Sequence, residues 1–235
     1  MNGENLTIVE STALDRIWKK DHFRVFLSHK SEVKKETAEL KDTLEIYGVT
    51  AFVAHENIQP TQQWLKEIEN ALKTSDAFVA LLTEKFHDSE WTDQEVGFAL
   101  CGGIKTIPVK IDKINPRGFL GKFQAINCAW SNAPLEIIKI LIKEELMLDA
   151  YIRKINDCPD YDAGNKLSCV LPFIENMTDK QVNDILTAYN SNSQIHDCFG
   201  FNGTKPHSHG KGLPALLERI TNKKYILAQD NKIII

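Results

Sequence analysis

The sequence predicts an α/β fold, a three-layer arrangement in which a parallel sheet lies between helices, followed by a smaller helical region. Three observations carry this. Short apolar runs of strand formers alternate with amphipathic helical runs from Phe23 to Trp130, the pattern of a sheet with crossover helices. The run "DAFVALLT" at 76–83 is almost continuously apolar, as a strand buried on both faces should be. After Trp130 the alternation stops and helical periodicity takes over.

In order, "FRVFLSH" at 23–29 reads as a first strand ending in polar residues that start a loop. "SEVKKETAELKDTLEIYG" follows, with Val33, Thr37, Leu40, Leu44 and Tyr47 at helical spacing and Gly48 as a stop. "VTAFVA" is a second strand, "HENIQPTQQW" a polar loop, and "WLKEIENALKT" a helix with Trp64, Ile68, Ala71 and Leu72 on its apolar face. After the third strand at 76–83 come the loop "EKFHDSE", a helix containing Glu95, and Gly102 with Gly103. "KTIPVKI" is a fourth strand and "FQAINCAW" supplies a fifth. "SNAPLEIIKILIKEELMLDAYIRKI" reads as a polar turn and one long amphipathic helix. "TDKQVNDILTAYN" opens with a capping-box pair, Thr178 and Gln181, and "LPALLERI" is a further helix. A sheet of this kind binds ligands beyond the carboxyl ends of its strands, so the loops after Leu27, Ala54 and Thr83 share the candidate end.

Composition narrows the function. A chain of 235 residues, 43% hydrophobic, buries one substantial core and a second small one. A net charge of -4 without a long basic stripe argues against direct nucleic-acid binding. The longest apolar helical run is interrupted by Lys139, Lys143, Glu144 and Glu145 and is too short and charged to span a bilayer. Cys101, Cys128, Cys158, Cys169 and Cys198, odd in number and without paired ligand spacing, predict reduced thiols in the cytoplasm. The first residues carry acids and no signal-peptide core, which agrees.

Neither G-x-G-x-x-G after the first strand nor G-x-x-x-x-G-K-[ST] is present, so dinucleotide dehydrogenase and P-loop chemistry lack their usual signs. His29 beside Ser28 reads as a loop residue, with no serine triad to be assembled from spacing. His196, Cys198, His207 and His209 carry zinc-type donors, but at irregular spacing in a segment that reads equally as a polar loop; no metal is assigned. Glu95 has two readings. In "SEWTDQEVGFAL" it completes a capping box with Thr92 at a helix start, or it is a carboxylate on which a reaction depends.

"RVFLSHKSE" at 24–32, "GVTAFVAHENIQPTQQW" at 48–64, "DAFVALLTEKFHDSEWTDQEVGFAL" at 76–100 and "KTIPVKID" at 105–112 resemble the successive blocks of a Toll/interleukin-1 receptor (TIR) domain of the bacterial, NAD-cleaving type. The resemblance covers roughly residues 21–145. It implies a flavodoxin-like domain with a five-stranded parallel sheet at 21–146, after an N-terminal extension at 1–20 and before a helical C-terminal domain at 147–235. The family divides into non-catalytic adaptors or oligomerisation modules and enzymes that cleave NAD+ between ribose and nicotinamide. Many free-standing bacterial members serve anti-phage defence.

The enzymatic branch places a large residue four positions before an essential glutamate, which Trp91 and Glu95 match. The resemblance makes Glu95 catalytic and puts Phe26, Ser28, His29, Lys30, His55 and Trp91 in the substrate-binding region. Ala54 and His55 stand where an aspartate often follows the second strand. The implied activity is NAD glycohydrolase or ADP-ribosyl cyclase, with NAD+ as substrate and no retained cofactor, giving ADP-ribose or a cyclic signal. Implied partners are other copies of the domain and an effector protein responding to the nucleotide signal. The chemistry suits one carboxylate: nicotinamide leaves NAD+ neutral, and the positive charge growing on the ribose needs electrostatic and hydrogen-bond support. A helix start favours the ionised form of such a carboxylate.

Overall fold

The computed structural model describes residues 11–53, 63–89, 91–208 and 210–235. The chain divides into two compact units, one built from 1–41 and 50–133 and the other from 42–49 and 134–235. All three changes of unit fall inside regular elements, the helix Lys34–Ile46, the strand Val49–Val53 and the first turn of the helix Ala133–Leu141.

The first unit holds the sheet. Helices α1 (Ser11–Ile17), α2 (Lys34–Ile46), α3 (Gln63–Thr74) and α4 (Thr92–Cys101) are interleaved with β1 (Phe23–Ser28), β2 (Val49–Val53), β3 (Ala77–Leu82), β4 (Lys105–Lys110) and β5 (Ile126–Asn127). The parallel sheet has the order β2-β1-β3-β4-β5, the flavodoxin-like order. Ser28 pairs with Ala80 at the carboxyl end of β1, and Ala80 with Pro108. Side chains alternate between faces along each strand. Phe26, Phe52, Phe78, Ala80 and Leu82 meet Ile68, Ala71 and Leu72 of α3 and Val96 and Ala99 of α4 in one apolar layer. Phe26 lies at its centre, stacked on Phe78 at 5.6 Å between ring centroids and tilted against Phe52 at 5.4 Å. Val25, Leu27, Val79 and Leu81, on the alternate positions, are also buried. The near-continuous apolar character of β3 follows from burial on both sides.

Helix α1 has no counterpart among the elements read from the sequence. Leu14 and Ile17 pack on the same apolar layer, and Trp18 just beyond them donates from Nε1 to Thr74 Oγ1 at 2.8 Å. Their i, i+3, i+4 spacing was the available signal.

The second unit is mainly helical, with α5 (Ala133–Leu141), α6 (Glu145–Asn156), α7 (Tyr161–Ser168), α8 (Asp179–Ser191), α9 (Phe199–Asn202) and α10 (Gly212–Thr221). The single long helix expected over this unit's start is two helices. Glu144 is extended, with φ -82° and ψ 133°, because a straight continuation of the stripe Ile138, Leu141, Ile142 would carry Glu145 into the apolar face. The break leaves Glu145 exposed in the first turn of α6, where its charge suits the helix dipole. The capping box at Thr178 and Gln181 is present. A short antiparallel ribbon, β6 (Ile226–Leu227) with β7 (Ile233–Ile234), supplements the helices. Asn190 holds it to α8 by donating from Nδ2 to Ile233 O and accepting from Ile233 N.

Candidate functional site

In this strand order the connections leave β1 and β3 toward opposite edges of the sheet. Such a topological switch point opens a crevice beyond the carboxyl ends of the two strands. Ser28 is the last residue of β1, and α4 is the helix that follows β3. The first turn of α4 therefore arrives beside the end of β1 with Glu95 on its inward side.

Glu95 is only 6% exposed. Its Oε2 accepts from Ser28 Oγ at 2.6 Å, and Ser28 is fully buried. Among the described residues Ser28 is the carboxyl's only hydrogen-bond partner, and no ion pair reaches it. Burial is the larger influence and the Ser28 bond the smaller, opposing one; together they push the carboxyl from 4.5 up to about 7. Burial thus works against the ionised form that a helix start favours.

The capping box expected at Thr92 and Glu95 is not formed. The N-cap position is Trp91, in helical conformation and without a side-chain cap. Thr92 Oγ1 donates to Phe86 O at 2.5 Å, tying the first residue of α4 to the turn before it. The Glu95 amide donates to Trp91 O at 2.9 Å, so Trp91 meets Glu95 through the backbone as the first helical hydrogen bond. On the same turn His87 Nδ1 lies 2.8 Å from Asp93 Oδ1.

Ser28 and Glu95 are brought together. His29 is buried next to Ser28 in the chain, and partly buried Lys30 begins the 3-10 turn Ser31–Val33. Phe26 is on the Ser28 face two residues earlier, but it is completely buried in the aromatic layer. Its side chain supports the floor beneath Ser28 and has no exposed surface. His55, with Ala54, Ile58 and Pro60 of the same loop, lies outside the described residues. The Ser28–Glu95 pair spans 67 positions, and no local pattern announces it.

The zinc-type donors are engaged elsewhere. His196 Nε2 lies 3.0 Å from Tyr189 O, Cys198 Sγ donates to Tyr161 O, and His207 Nε2 lies 3.3 Å from Asn165 O. His209 is outside the described residues. Among the described residues no three histidine, cysteine or acidic side chains gather as a metal ion would require. All five cysteines are free thiols, and no described helix is long and apolar enough to cross a membrane.

The family model for the TIR domain matches residues 25–139. The crystal structure of the TIR domain of the Toll-related receptor TRR-2 from Hydra magnipapillata aligns with 51% of this chain and 95% of its own, at 17% identity and a TM-score of 0.44. No curated protein matches the chain. TIR domains include NAD-cleaving enzymes and non-catalytic adaptors, and they associate with one another or with other TIR domains. The family match, on a flavodoxin-like sheet in the order β2-β1-β3-β4-β5, identifies residues 25–139 as a TIR domain.

Proposed function

We propose that this TIR domain cleaves NAD+ at the bond between ribose and nicotinamide, with Glu95 as the catalytic carboxylate. The observation that carries the proposal is the placement of Glu95: buried at the topological switch point, held through one oxygen by Ser28, and matched by no cation among the described residues. A buried carboxylate without an ion partner opposes folding, and such groups concentrate at functional sites.

The second carboxylate oxygen accepts no protein hydrogen bond among the described residues, which leaves it for a ribose hydroxyl. As the glycosidic C–N bond breaks, its electron pair stays with nicotinamide, which departs neutral, and the ribose becomes oxocarbenium-like. Glu95 stabilises that positive charge electrostatically in a site where water is largely excluded. Water then adds to give ADP-ribose and a proton, or a nucleophile of the same molecule closes the ring. The cationic nicotinamide riboside, once bound, draws the carboxyl toward its ionised form. The family resemblance supplies the setting we propose: a cytoplasmic, self-associating protein of bacterial anti-phage defence whose product signals to an effector.

The test is nicotinamide release from NAD+ by concentrated, assembled protein, with products separated against ADP-ribose and cyclic standards. Glu95→Gln keeps the shape and the bond from Ser28 and should lose roughly 100-fold or more in turnover, the scale set by removing a transition-state charge partner. Equal turnover by wild type and Glu95→Gln, with both proteins folded, overturns the mechanism. Assembly without any NAD+ consumption points to the adaptor class instead.

A further inference from the structure

The resemblance puts Ser28 among substrate contacts, but its side chain is fully buried and already committed. We propose that Ser28 is a positioning residue: its hydroxyl donates to Glu95 Oε2, fixes the carboxylate's orientation and favours its charged form. This rests on the reading of Glu95 as the catalytic group and assigns the residue that makes the carboxylate serviceable.

The geometry is specific. A bond of 2.6 Å between a hydroxyl and a carboxylate oxygen is in the charge-assisted range. Ser28 closes β1, whose register is fixed by pairing with β3, and Glu95 lies on the first turn of α4, tied down by Thr92 to Phe86 O. Both ends of the bond are therefore held by rigid elements. Ser28, fully buried and bonded to Glu95, is placed to set one rotamer of that carboxylate and not to meet a passing substrate.

Other charges do not take over this task. Asp93 turns to His87, Glu69 and Lys73 pair along α3, Lys110 reaches Asn115, and Lys122 lies over the Phe123 ring. Arg24 and Asp76 meet at the opposite end of β1. None of these contributes to the balance at Glu95, whose causes are burial and the Ser28 hydroxyl. His29 is the neighbouring group whose ordinary titration range overlaps that of this carboxyl, so the experiment must separate the two.

Two readouts do so. The first is kcat/KM for NAD+ across pH 5–9.5 in wild type, Ser28→Ala and Ser28→Thr. Wild type should rise through about pH 7; Ser28→Ala should rise about one unit higher, the scale expected for losing a hydrogen bond to a charged group. Near pH 7 this is a several-fold loss that shrinks at alkaline pH, and Ser28→Thr, which restores the hydroxyl, should move back toward wild type. The second is infrared titration of the carboxyl band that disappears in Glu95→Gln, which reports Glu95 and not His29, and needs no turnover. The same upward displacement in Ser28→Ala is expected there.

An unmoved carboxyl titration in a folded Ser28→Ala protein overturns the proposal, as does a turnover loss that is equal at every pH. Should no protein form cleave NAD+ while the infrared displacement appears, the hold of Ser28 on Glu95 stands and the NAD+ reading falls.

Discussion

At Glu95 two influences meet, and their order decides the site. Burial raises the carboxyl, the Ser28 hydroxyl lowers it by less, and the result near 7 leaves a mixed population at neutral pH. The folded protein therefore binds this proton more tightly than the unfolded chain, whose glutamate titrates near 4.5. The stability tied to the protonated form is complete below about pH 4.5 and is lost as pH rises through about 7. Above that, the ionised carboxyl costs on the order of 3 kcal/mol by conversion of the shift. Glu95→Gln should accordingly unfold at higher urea than wild type at pH 8.5, with the advantage shrinking at pH 5. Equal differences at the two pH values would show that the carboxyl does not titrate as described. The candidate glutamate could be picked from a short window because its type and spacing are local. Its partner could not, because Ser28 reaches it only through the sheet, nor could the full burial of Phe26, because a strand's sequence does not say how deep each face is covered.

Among elements, two similar strings end differently. "TDKQ" at Thr178 forms a capping box, while "TDQE" at Thr92 does not. At Thr178 the residue before the helix is extended and free to turn its hydroxyl to the Gln181 amide. At Thr92 the hydroxyl is claimed by Phe86 O and the glutamate by Ser28, so tertiary partners displaced the local ones. The strands of the sheet were legible because each is a short apolar run between polar turns; the break between α5 and α6 was less so, since neither Gly nor Pro marks it. The carboxyl end of α6 shows how a distant side chain replaces such a marker. Asn192, buried after α8, donates from Nδ2 toward Ile155 O, Asn156 O and Cys158 O. Asn192→Ala leaves those carbonyls short of a donor and should lower stability by about 1–3 kcal/mol. A urea midpoint unchanged from wild type would show that water serves them equally well.

For the whole molecule, alternation along the sequence is enough to anticipate the sheet, yet the grouping of residues 42–49 with 134–235 has no compositional mark. Within that second unit, Gly48 has φ +92°, and a Cβ there would sit 2.8 Å from Ala150 O. Leu44 and Tyr47 are buried, as is Tyr151. A fragment of residues 134–235 lacks Leu44, Tyr47 and Gly48, so it should unfold at lower urea than the same unit in the full chain and bind ANS. A fragment with the full-chain midpoint and no dye binding would show that these residues are dispensable. During synthesis the same arrangement imposes an order of events. Gly48 leaves the ribosome roughly 100 residues before Ala150, a delay of about 5–20 s at ordinary elongation rates. Through that interval the nascent chain carries Leu44 and Tyr47 without the rest of their unit, an apolar handle for a ribosome-associated chaperone, and a slowed ribosome between codons 50 and 150 would lengthen its exposure.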